Sequence, residues 1–236
     1  MKIIFEPKKK YLTQIENWLK EEYEEDGEGF YKNFLLIDFT NNDFICYVNN
    51  DDDAIAFMSY QRYMKICTID IASVKKSEKR KGVCKTMLEA LSNRLVERGT
   101  YVMNLFCSPV SSEKIWKKLG FKFYKEKEKH ESFRRGKPVN YLYKTIVKSH
   151  LPTRKRNLIS FVELWKEFDH VGYTDKTIEP SVVWNLKNQL NPIIFPTEPE
   201  WKLRLVENGK EIYNGVIKRN ISGFFVYGDF LIFDKI

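Results

Sequence analysis

A basic turn that follows the predicted strand Ile66–Val74 holds the residues with the clearest potential for chemistry. The next eleven residues set one acidic side chain, Glu78, against six cations: Lys75, Lys76, Lys79, Arg80, Lys81 and Lys85. A helix is predicted to begin at Gly82, and the first turn of a helix exposes unpaired N–H groups and a partial positive charge that bind phosphate. Gly82 also lets the backbone approach a ligand closely. The turn therefore predicts a diphosphate site.

Two common phosphate motifs are absent from the sequence. It contains neither G-x-x-x-x-G-K-[ST] nor G-x-G-x-x-G, which disfavours nucleotide triphosphatases and dinucleotide enzymes. A solvated basic loop before an ordinary helix is the alternative, because runs of charge are weak signals of function.

The segment from Val74 resembles the coenzyme-binding motif of the GNAT acetyltransferases, V-x-P-x-x-[RQ]-x-x-G-x-[GA]. Lys79 stands at the Arg/Gln position, Gly82 at the first glycine and Cys84 at the second small residue. Lys76 replaces the proline of the motif, so only Val74 and Gly82 are literal matches.

A second segment resembles the same family further along the chain. The run from Ser112 to Phe121 is similar to the motif A-x-x-x-Y-x-x-x-G-F, and Gly120 and Phe121 match its last two residues. Trp116 stands at the tyrosine position. The resemblance covers about the first 148 residues and none of the remainder.

The resemblance implies an acetyl-CoA-dependent N-acetyltransferase, in which a primary amine attacks the thioester of acetyl-CoA directly. It implies that the coenzyme lies between the strands Ile66–Val74 and Tyr101–Cys107, with its diphosphate on the backbone of the basic turn. The residues expected to bind acetyl-CoA are Ala72, Val74, Lys79, Arg80, Lys81, Gly82, Val83, Cys84, Lys85 and Trp116.

Asp70 is the predicted catalytic base, because a proton must leave the attacking ammonium, often through water. Alternation along a strand places Asp70 on the same face as Ala72 and Val74. A surface Asp that pairs with a lysine is an equal alternative, since most Asp side chains are exposed.

The sequence does not identify the group that protonates the leaving thiolate. In the family a tyrosine at the position of Trp116 often has this role, but an indole donates a hydrogen bond without being a useful proton acid. Cys107, Ser108, Tyr124 or water are the substitutes. The replacement also leaves open a second hypothesis, a weak or inactive GNAT-fold module that binds nucleic acid or a protein.

Hydrophobic periodicity predicts the elements that must position these residues, in the order β-α-α-β-β-β-α-β-α-β-β. Strands at 44–48, 54–63 and 66–74 form an antiparallel meander, and an amphipathic helix covers 82–98. The other expected elements are strands at 3–5, 101–107, 121–125 and 141–147 and helices at 11–25, 30–38 and 111–119. The predicted fold class is α/β (α+β): a GNAT-like, mainly antiparallel sheet flanked by helices.

The chain is predicted to hold two domains, 1–149 with the GNAT-like fold and 150–236 as a small α+β domain of unknown role. A basic stretch around Arg154 is the candidate linker. Helices are predicted at Leu158–Phe168 and Pro180–Leu190, and strands at 201–206, 211–217, 223–227 and 230–233. A hairpin turn is expected at 207–209.

Composition restricts the partners and the compartment. The net charge of +8 favours an anionic ligand and leaves nucleic acid only weakly supported. We expect a cytoplasmic location and no membrane association, because the N-terminus lacks an apolar leader and no apolar run approaches about 20 residues. The four cysteines and three histidines are scattered, so no metal site is expected. A homodimer is left open.

Overall fold

The protein is represented by a computed structural model that divides into two units, Met1–Ile146 and Val147–Ile236. The boundary falls a few residues before the predicted one at 149/150. The structure describes residues 1–39, 41–124, 133–134, 137–138, 140–154, 159–166, 179–197, 201–217, 220–221, 224–227 and 229–234.

The N-terminal unit contains nine described strands and four described α-helices. The strands are β1 (Lys2–Phe5), β2 (Asp43–Val48), β3 (Ala54–Tyr63), β4 (Ile66–Val74), β5 (Val102–Cys107), β6 (Lys122–Phe123), β7 (Phe133–Arg134), β8 (Lys137–Pro138) and β9 (Asn140–Thr145). The helices are α1 (Lys9–Asp26), α2 (Tyr31–Phe34), α3 (Val83–Glu97) and α4 (Glu113–Lys118), with short 3-10 turns at Lys76–Glu78 and Val110–Ser112.

Seven of these strands form one sheet in the order β1-β2-β3-β4-β5-β9-β6, and β7 pairs with β8 separately. The strands β1 to β4 are antiparallel neighbours, β4 and β5 run parallel, and β9 is antiparallel to both β5 and β6. The predicted meander and the mainly antiparallel, helix-flanked sheet are therefore confirmed. The short predicted helix at 30–38 is limited to Tyr31–Phe34, and residue 125 of the predicted strand 121–125 lies outside the described residues.

Helices cover both faces of the seven-stranded sheet. The buried residues of α3 pack in one cluster with β4 and β5 side chains such as Ile69 and Leu105. The buried residues of α1 pack in a second cluster with Phe44 and Phe57. Met58 of β3 belongs to the first cluster and its neighbour Phe57 to the second, because neighbouring side chains of a strand point to opposite faces.

Asp52, in the turn between β2 and β3, joins this turn to α1 and to β1. Its carboxylate accepts hydrogen bonds from Lys2 at 2.8 Å, Lys10 at 2.5 Å and Tyr11 at 2.9 Å. The hydrogen bond from Lys10, followed by those from Lys2 and Tyr11, holds the pKa of Asp52 well below its usual range. The indole N–H of Trp18 donates to the Ala54 carbonyl at 2.9 Å and fixes the middle of α1.

The C-terminal unit contains two four-stranded sheets, ordered β11-β10-β13-β14 and β12-β17-β16-β15. Their strands are β10 (Phe161–Trp165), β11 (Val182–Asn185), β12 (Ile193–Pro196), β13 (Lys202–Glu207), β14 (Lys210–Val216), β15 (Asn220–Ile221), β16 (Phe224–Tyr227) and β17 (Phe230–Phe233). Every neighbouring pair is antiparallel. Both sheets contribute to one apolar cluster, for example through Leu164 and Leu231.

The two helices predicted in the C-terminal unit are wrong where the structure describes them. Residues 161–165 and 182–185, which lie inside those predicted helices, form β10 and β11. β10 is hydrogen-bonded on both sides, to β11 and to β13, and buries Val162 and Leu164 completely. A short apolar run fits a doubly covered strand as well as a helix, and strand pairing decides between them. The four predicted strands are confirmed within the described residues.

Candidate functional site

The central strands β4 and β5 separate part-way along their length. They pair in parallel register from Ile66 opposite Val102 to Ile69 opposite Leu105, although β4 continues to Val74. The opposite edge of β4 stays paired with β3 over the whole length. The β5-facing edge of β4 beyond Ile69 therefore offers backbone groups to something other than its neighbouring strand.

A cavity of about 90 Å³ lies at this separation. It is lined by Phe30, Ile69, Asp70, Ile71, Ala72, Leu105, Phe106, Ser108, Pro109, Ser112 and Trp116. Three predicted site residues, Asp70, Ala72 and Trp116, are thus brought to one place from β4 and α4. The volume is well below that of a whole-ligand pocket, so it suits only a small reacting group.

Asp70 occupies a β-bulge, which the sequence did not predict. Tyr60 of β3 pairs with Ile69 and Ser59 pairs with Ile71, so Asp70 is the extra residue of β4. Bulges bend a strand and redirect its side chains, and they are frequent beside active sites. The exposed side chain of Asp70 lines the cavity.

Because of this bulge, simple alternation does not hold along the whole of β4. Cys67 and Ile69 pack against the same cluster as Ala72 and Val74, although strict alternation puts these two pairs on opposite faces. The side chains of β4 that face this cluster therefore have odd numbers before Asp70 and even numbers after it. Asp70 lies at this change and lines the cavity together with Ala72.

The basic turn reaches α3 through two residues in the left-handed region. Arg80 has a φ of 66° and Gly82, at the helix N-cap, a φ of 81°. No side chain caps this end of α3, so the first-turn N–H groups, which belong to Val83, Cys84 and Lys85, are not satisfied by a cap. A Cβ at Gly82 would meet no atom within 4 Å, so its backbone angle, and not crowding, favours glycine.

The cations of the turn differ in their ion pairs and therefore in how readily each could contact a ligand. Lys76 is anchored to the end of α1, with its ammonium 3.0 Å from Glu25 and 2.5 Å from Asp26. Lys79 and Arg80 are exposed and make no ion pair with any described residue. Lys81 and Lys85 are also exposed and pair with acidic neighbours at 3.0 and 3.9 Å, contacts that are weak in water.

Two of the predicted coenzyme-binding residues face the core with their side chains. Val83 is buried, and Cys84 packs beside it against the cluster under α3. Burial raises the pKa of the Cys84 thiol to about 11, so the thiol is neutral near pH 7. Only the backbone N–H groups of these two residues are suited to a ligand.

Trp116 and the three candidate proton donors occupy different places around the cavity. The indole of Trp116 packs edge-on against Phe121 at a centroid distance of 5.2 Å and lines the cavity. Ser108 lines the cavity too, whereas Cys107 is buried and absent from the lining, and its Sγ lies 3.1 Å from Ser112 Oγ. Tyr124 is buried and is absent from the cavity lining.

Sequence reasoning missed Phe30, Phe106 and Ser112 as cavity residues. Ser112 could have been found, because it stands four residues before Trp116 and therefore on the same side of a helical turn. Phe30 carried no such signal, since it precedes α2 and reaches the cavity only through the packing of distant elements.

Comparisons with known proteins assign the N-terminal unit. Residues 12–121 match the model of the acetyltransferase (GNAT) family. The chain is similar to a Lactobacillus plantarum protein described as an N-acetyltransferase, with 14% identity, a TM-score of 0.50, and 62% of this chain and 98% of that chain covered. Residues 12–121 therefore match the GNAT acetyltransferase family and the unit has its fold, so the predicted resemblance and fold class are confirmed.

Two further solved structures have lower scores. Tetrahymena GCN5 has 11% identity, a TM-score of 0.49, and 62% and 97% of the two chains covered. A PaiA N-acetyltransferase from Thermoplasma acidophilum, in complex with coenzyme A, has 15% identity, a TM-score of 0.47, and 61% and 99% covered. No curated protein matches the chain.

The described part of the chain lacks two other features. None of its helices has the length and apolar character to cross a membrane. No group of three or more His, Cys, Asp or Glu side chains within that part could hold a metal ion.

Proposed function

We propose that the N-terminal unit transfers an acetyl group from acetyl-CoA to a primary amine. The observation that carries the proposal is the separation of β4 from β5 beyond Ile69 and Leu105, directly before the basic turn and the uncapped start of α3. The residues present fit the coenzyme: a free strand edge suits the amides of its pantetheine arm, and a helix start suits its diphosphate. GNAT-family membership of residues 12–121 supports the same reaction class.

Each part of the site then has a separate role in binding. The backbone of Ala72 and Val74 would pair with the pantetheine arm, and the first-turn N–H groups of α3 would hold the diphosphate. Arg80 and Lys79 would supply charge-assisted contacts to the phosphates, since they have no ion pair among the described residues. Gly82 would keep the turn in the conformation that aims those N–H groups outward.

The chemistry depends mainly on positioning. Holding the amine beside the thioester removes much of the entropic barrier to a reaction between two molecules. Asp70 stands in the cavity and would accept the proton of the attacking ammonium, directly or through water. Trp116 would shape the cavity wall beside the reacting sulfur.

The remaining parts of the proposal concern the whole chain. All four cysteines are free, which fits a reducing compartment such as the cytoplasm. We treat Val147–Ile236 as a separate domain, because it has its own apolar cluster. Its role in acceptor binding or dimerisation is part of the proposal that awaits a test.

Calorimetric titration of the full chain with acetyl-CoA, followed by an amine panel, tests the proposal. The panel contains lysine, spermidine and a peptide with a free N-terminus, and release of the coenzyme thiol reports transfer. We expect saturable binding and turnover with at least one amine. Absent binding at millimolar acetyl-CoA, together with salt-dependent binding of RNA or DNA, would instead support a non-catalytic module.

A further inference from the structure

We propose that Ser112 delivers a proton to the departing sulfur of the coenzyme and that Cys107 replenishes it, an assignment that rests on the proposed acetyl transfer. Trp116, at the position of the family's tyrosine, cannot supply that proton because an indole is a donor but not a useful acid. Water or a different group at the cavity must then protonate the leaving thiolate.

Ser112 is the hydroxyl whose surroundings best fit this role. It lines the cavity together with Trp116, one helical turn away. Its Oγ lies 3.1 Å from Cys107 Sγ and 2.8 Å from the Pro109 carbonyl oxygen. Cys107 is fully buried and is absent from the cavity lining, so Ser112 stands between the thiol and the cavity.

The hydrogen bonds around Ser112 allow it to pass a proton on. A serine hydroxyl has one hydrogen to donate and two lone pairs that accept. With Ser112 donating to Pro109, its Oγ can accept the S–H of Cys107; the carbonyl oxygens of Pro109 and Val110, at 3.6 and 4.0 Å from Sγ, are the other acceptors of that S–H. Rotation of the hydroxyl turns its hydrogen toward the cavity and leaves the bond from Cys107 in place.

The transfer step balances with these two groups. The amine nitrogen bonds to the carbonyl carbon, and the C–S bond breaks with its electron pair on sulfur. Ser112 gives its O–H proton to that sulfur and takes the S–H proton of Cys107. One proton of the ammonium leaves through Asp70 or water before the attack, and a second leaves the nitrogen to water after the N–C bond has formed. Cys107 regains one proton from solvent through Ser112.

The surroundings of Cys107 keep its thiol protonated near pH 7. Burial is the main cause that raises the pKa of this thiol, while the hydrogen bond with Ser112 opposes it. Glu113 of α4 raises the same pKa further and Lys117 lowers it. Asp70 of β4 lines the cavity, whereas Glu113 and Lys117 are absent from its lining. The neutral Asn140 of β9 donates to Glu113, which also pairs with Lys117.

An equilibrium measurement tests this role without turnover. The wild type, Ser112→Ala and a matched control, Ser111→Ala, are titrated with coenzyme A and with desulfo-coenzyme A near pH 7 and near pH 10. Ser111 is the exposed neighbour and is absent from the cavity lining. Desulfo-coenzyme A lacks the thiol, so the ratio of the two affinities isolates the sulfur from other pH effects.

A hydrogen bond from Ser112 to the bound thiolate raises the affinity for coenzyme A relative to desulfo-coenzyme A at the higher pH, where the thiol is ionised. We expect the affinity ratio to rise about tenfold in the wild type and in Ser111→Ala, the size typical of a hydrogen bond to a charged group. Ser112→Ala is expected to lose that rise. A ratio that rises equally in Ser112→Ala overturns the assignment.

Turnover with hydroxylamine as a small amine gives the second readout. We expect Ser112→Ala to lower kcat about 100-fold with KM for acetyl-CoA within about twofold, and to lose the alkaline limb of the pH profile. Ser112→Thr keeps a hydroxyl and is expected to recover most of the lost turnover. Cys107→Ala is expected to lower kcat about tenfold.

The outcomes separate this inference from the proposed function. A wild type that neither binds acetyl-CoA nor turns it over contradicts the proposed function itself. A wild type that is active, with Ser112→Ala equally active or with its alkaline limb intact, contradicts only the role of Ser112. A fold defect in Ser112→Ala is recognised by its melting temperature, and Ser112→Thr then decides the matter.

Discussion

The ammonium of Lys76 lies 3.0 Å from a carboxylate oxygen of Glu25, and this contact joins the basic turn to the end of α1. Asp26 shares the same ammonium, and Glu22 accepts the backbone N–H of Lys76 at 2.7 Å. Lys76, which stands at the family's proline position, therefore has a structural role in this chain. It holds the start of the turn, while its neighbours Lys79 and Arg80 stay exposed.

Replacing Lys76 by Ala is expected to weaken acetyl-CoA binding indirectly. The variant loses its contacts to Glu25 and Asp26, which loosens the turn, and we expect an affinity about two- to fivefold lower because exposed ion pairs are individually weak. Calorimetry measures the change. Lys20→Ala, which removes an exposed pair with Glu24 on α1, is the control and should bind normally. An unchanged affinity in Lys76→Ala would show that the turn needs no anchor.

A comparison of Gly82→Ala with Gly99→Ala separates backbone strain from ligand binding. Both glycines have positive φ, 81° and 75°, and a Cβ at either would meet no atom within 4 Å. Each substitution is expected to cost about 1 kcal/mol of unfolding free energy, measured by urea denaturation. Only Gly82→Ala should also weaken acetyl-CoA binding, since Gly99 lies beyond the other end of α3. Equal effects on binding would contradict the proposed diphosphate site.

The pH dependence of stability should reveal the role of Asp52. Because its pKa is lowered in the folded state, chiefly by Lys10, Asp52 contributes stability that is present above the unfolded pKa of about 4. That contribution is lost as the pH falls through the folded pKa. Asp52→Asn is therefore expected to melt at a lower temperature than wild type at pH 7.

The difference in melting temperature should shrink steadily as the pH falls from about 4 toward the lowered folded pKa, because the unfolded carboxylate binds a proton first and the folded carboxylate last. Asp51→Asn is the matched control, since Asp51 is exposed and its carboxylate makes no hydrogen bond or ion pair with the described residues. It should melt like wild type at every pH. A melting difference for Asp52→Asn that persists unchanged at low pH would rule out the charge as its cause.

Asp70→Asn tests the proposed base. The amide keeps the shape of the side chain but cannot accept the ammonium proton, so we expect kcat to fall about 100-fold while acetyl-CoA affinity stays within about twofold. The acidic limb of the pH profile should disappear as well. Steady-state kinetics with hydroxylamine and with the best amine of the panel provide the measurement. Full activity of Asp70→Asn would assign proton removal to water alone.

The elements of the N-terminal unit were predictable because their periodicity is strong. The amphipathic spacing of Met87, Leu91 and Leu95 gave α3 within one residue at each end of its bounds, Val83–Glu97. The strands of the meander alternate between two covered faces, which the β-forming residues of β3 and β4 signal locally. In these segments local preference and tertiary packing favour the same structure.

The misses have identifiable physical causes. Phe161, Val162 and Leu164 satisfy a helical and a strand pattern equally, and pairing of β10 with β11 and β13 decided the outcome. The bulge at Asp70 depends on the register with β3, which no local sequence signal contains. Phe30 reached the cavity through long-range packing for the same reason.

A crystal structure of the full chain with coenzyme A tests the central claim most directly. The account predicts the diphosphate within hydrogen-bonding distance of the N–H groups of Val83, Cys84 and Lys85, and the sulfur in the cavity beside Ser112 and Trp116. A diphosphate bound elsewhere, or a cavity closed by Trp116 with β4 and β5 paired beyond Ile69 and Leu105, would contradict it.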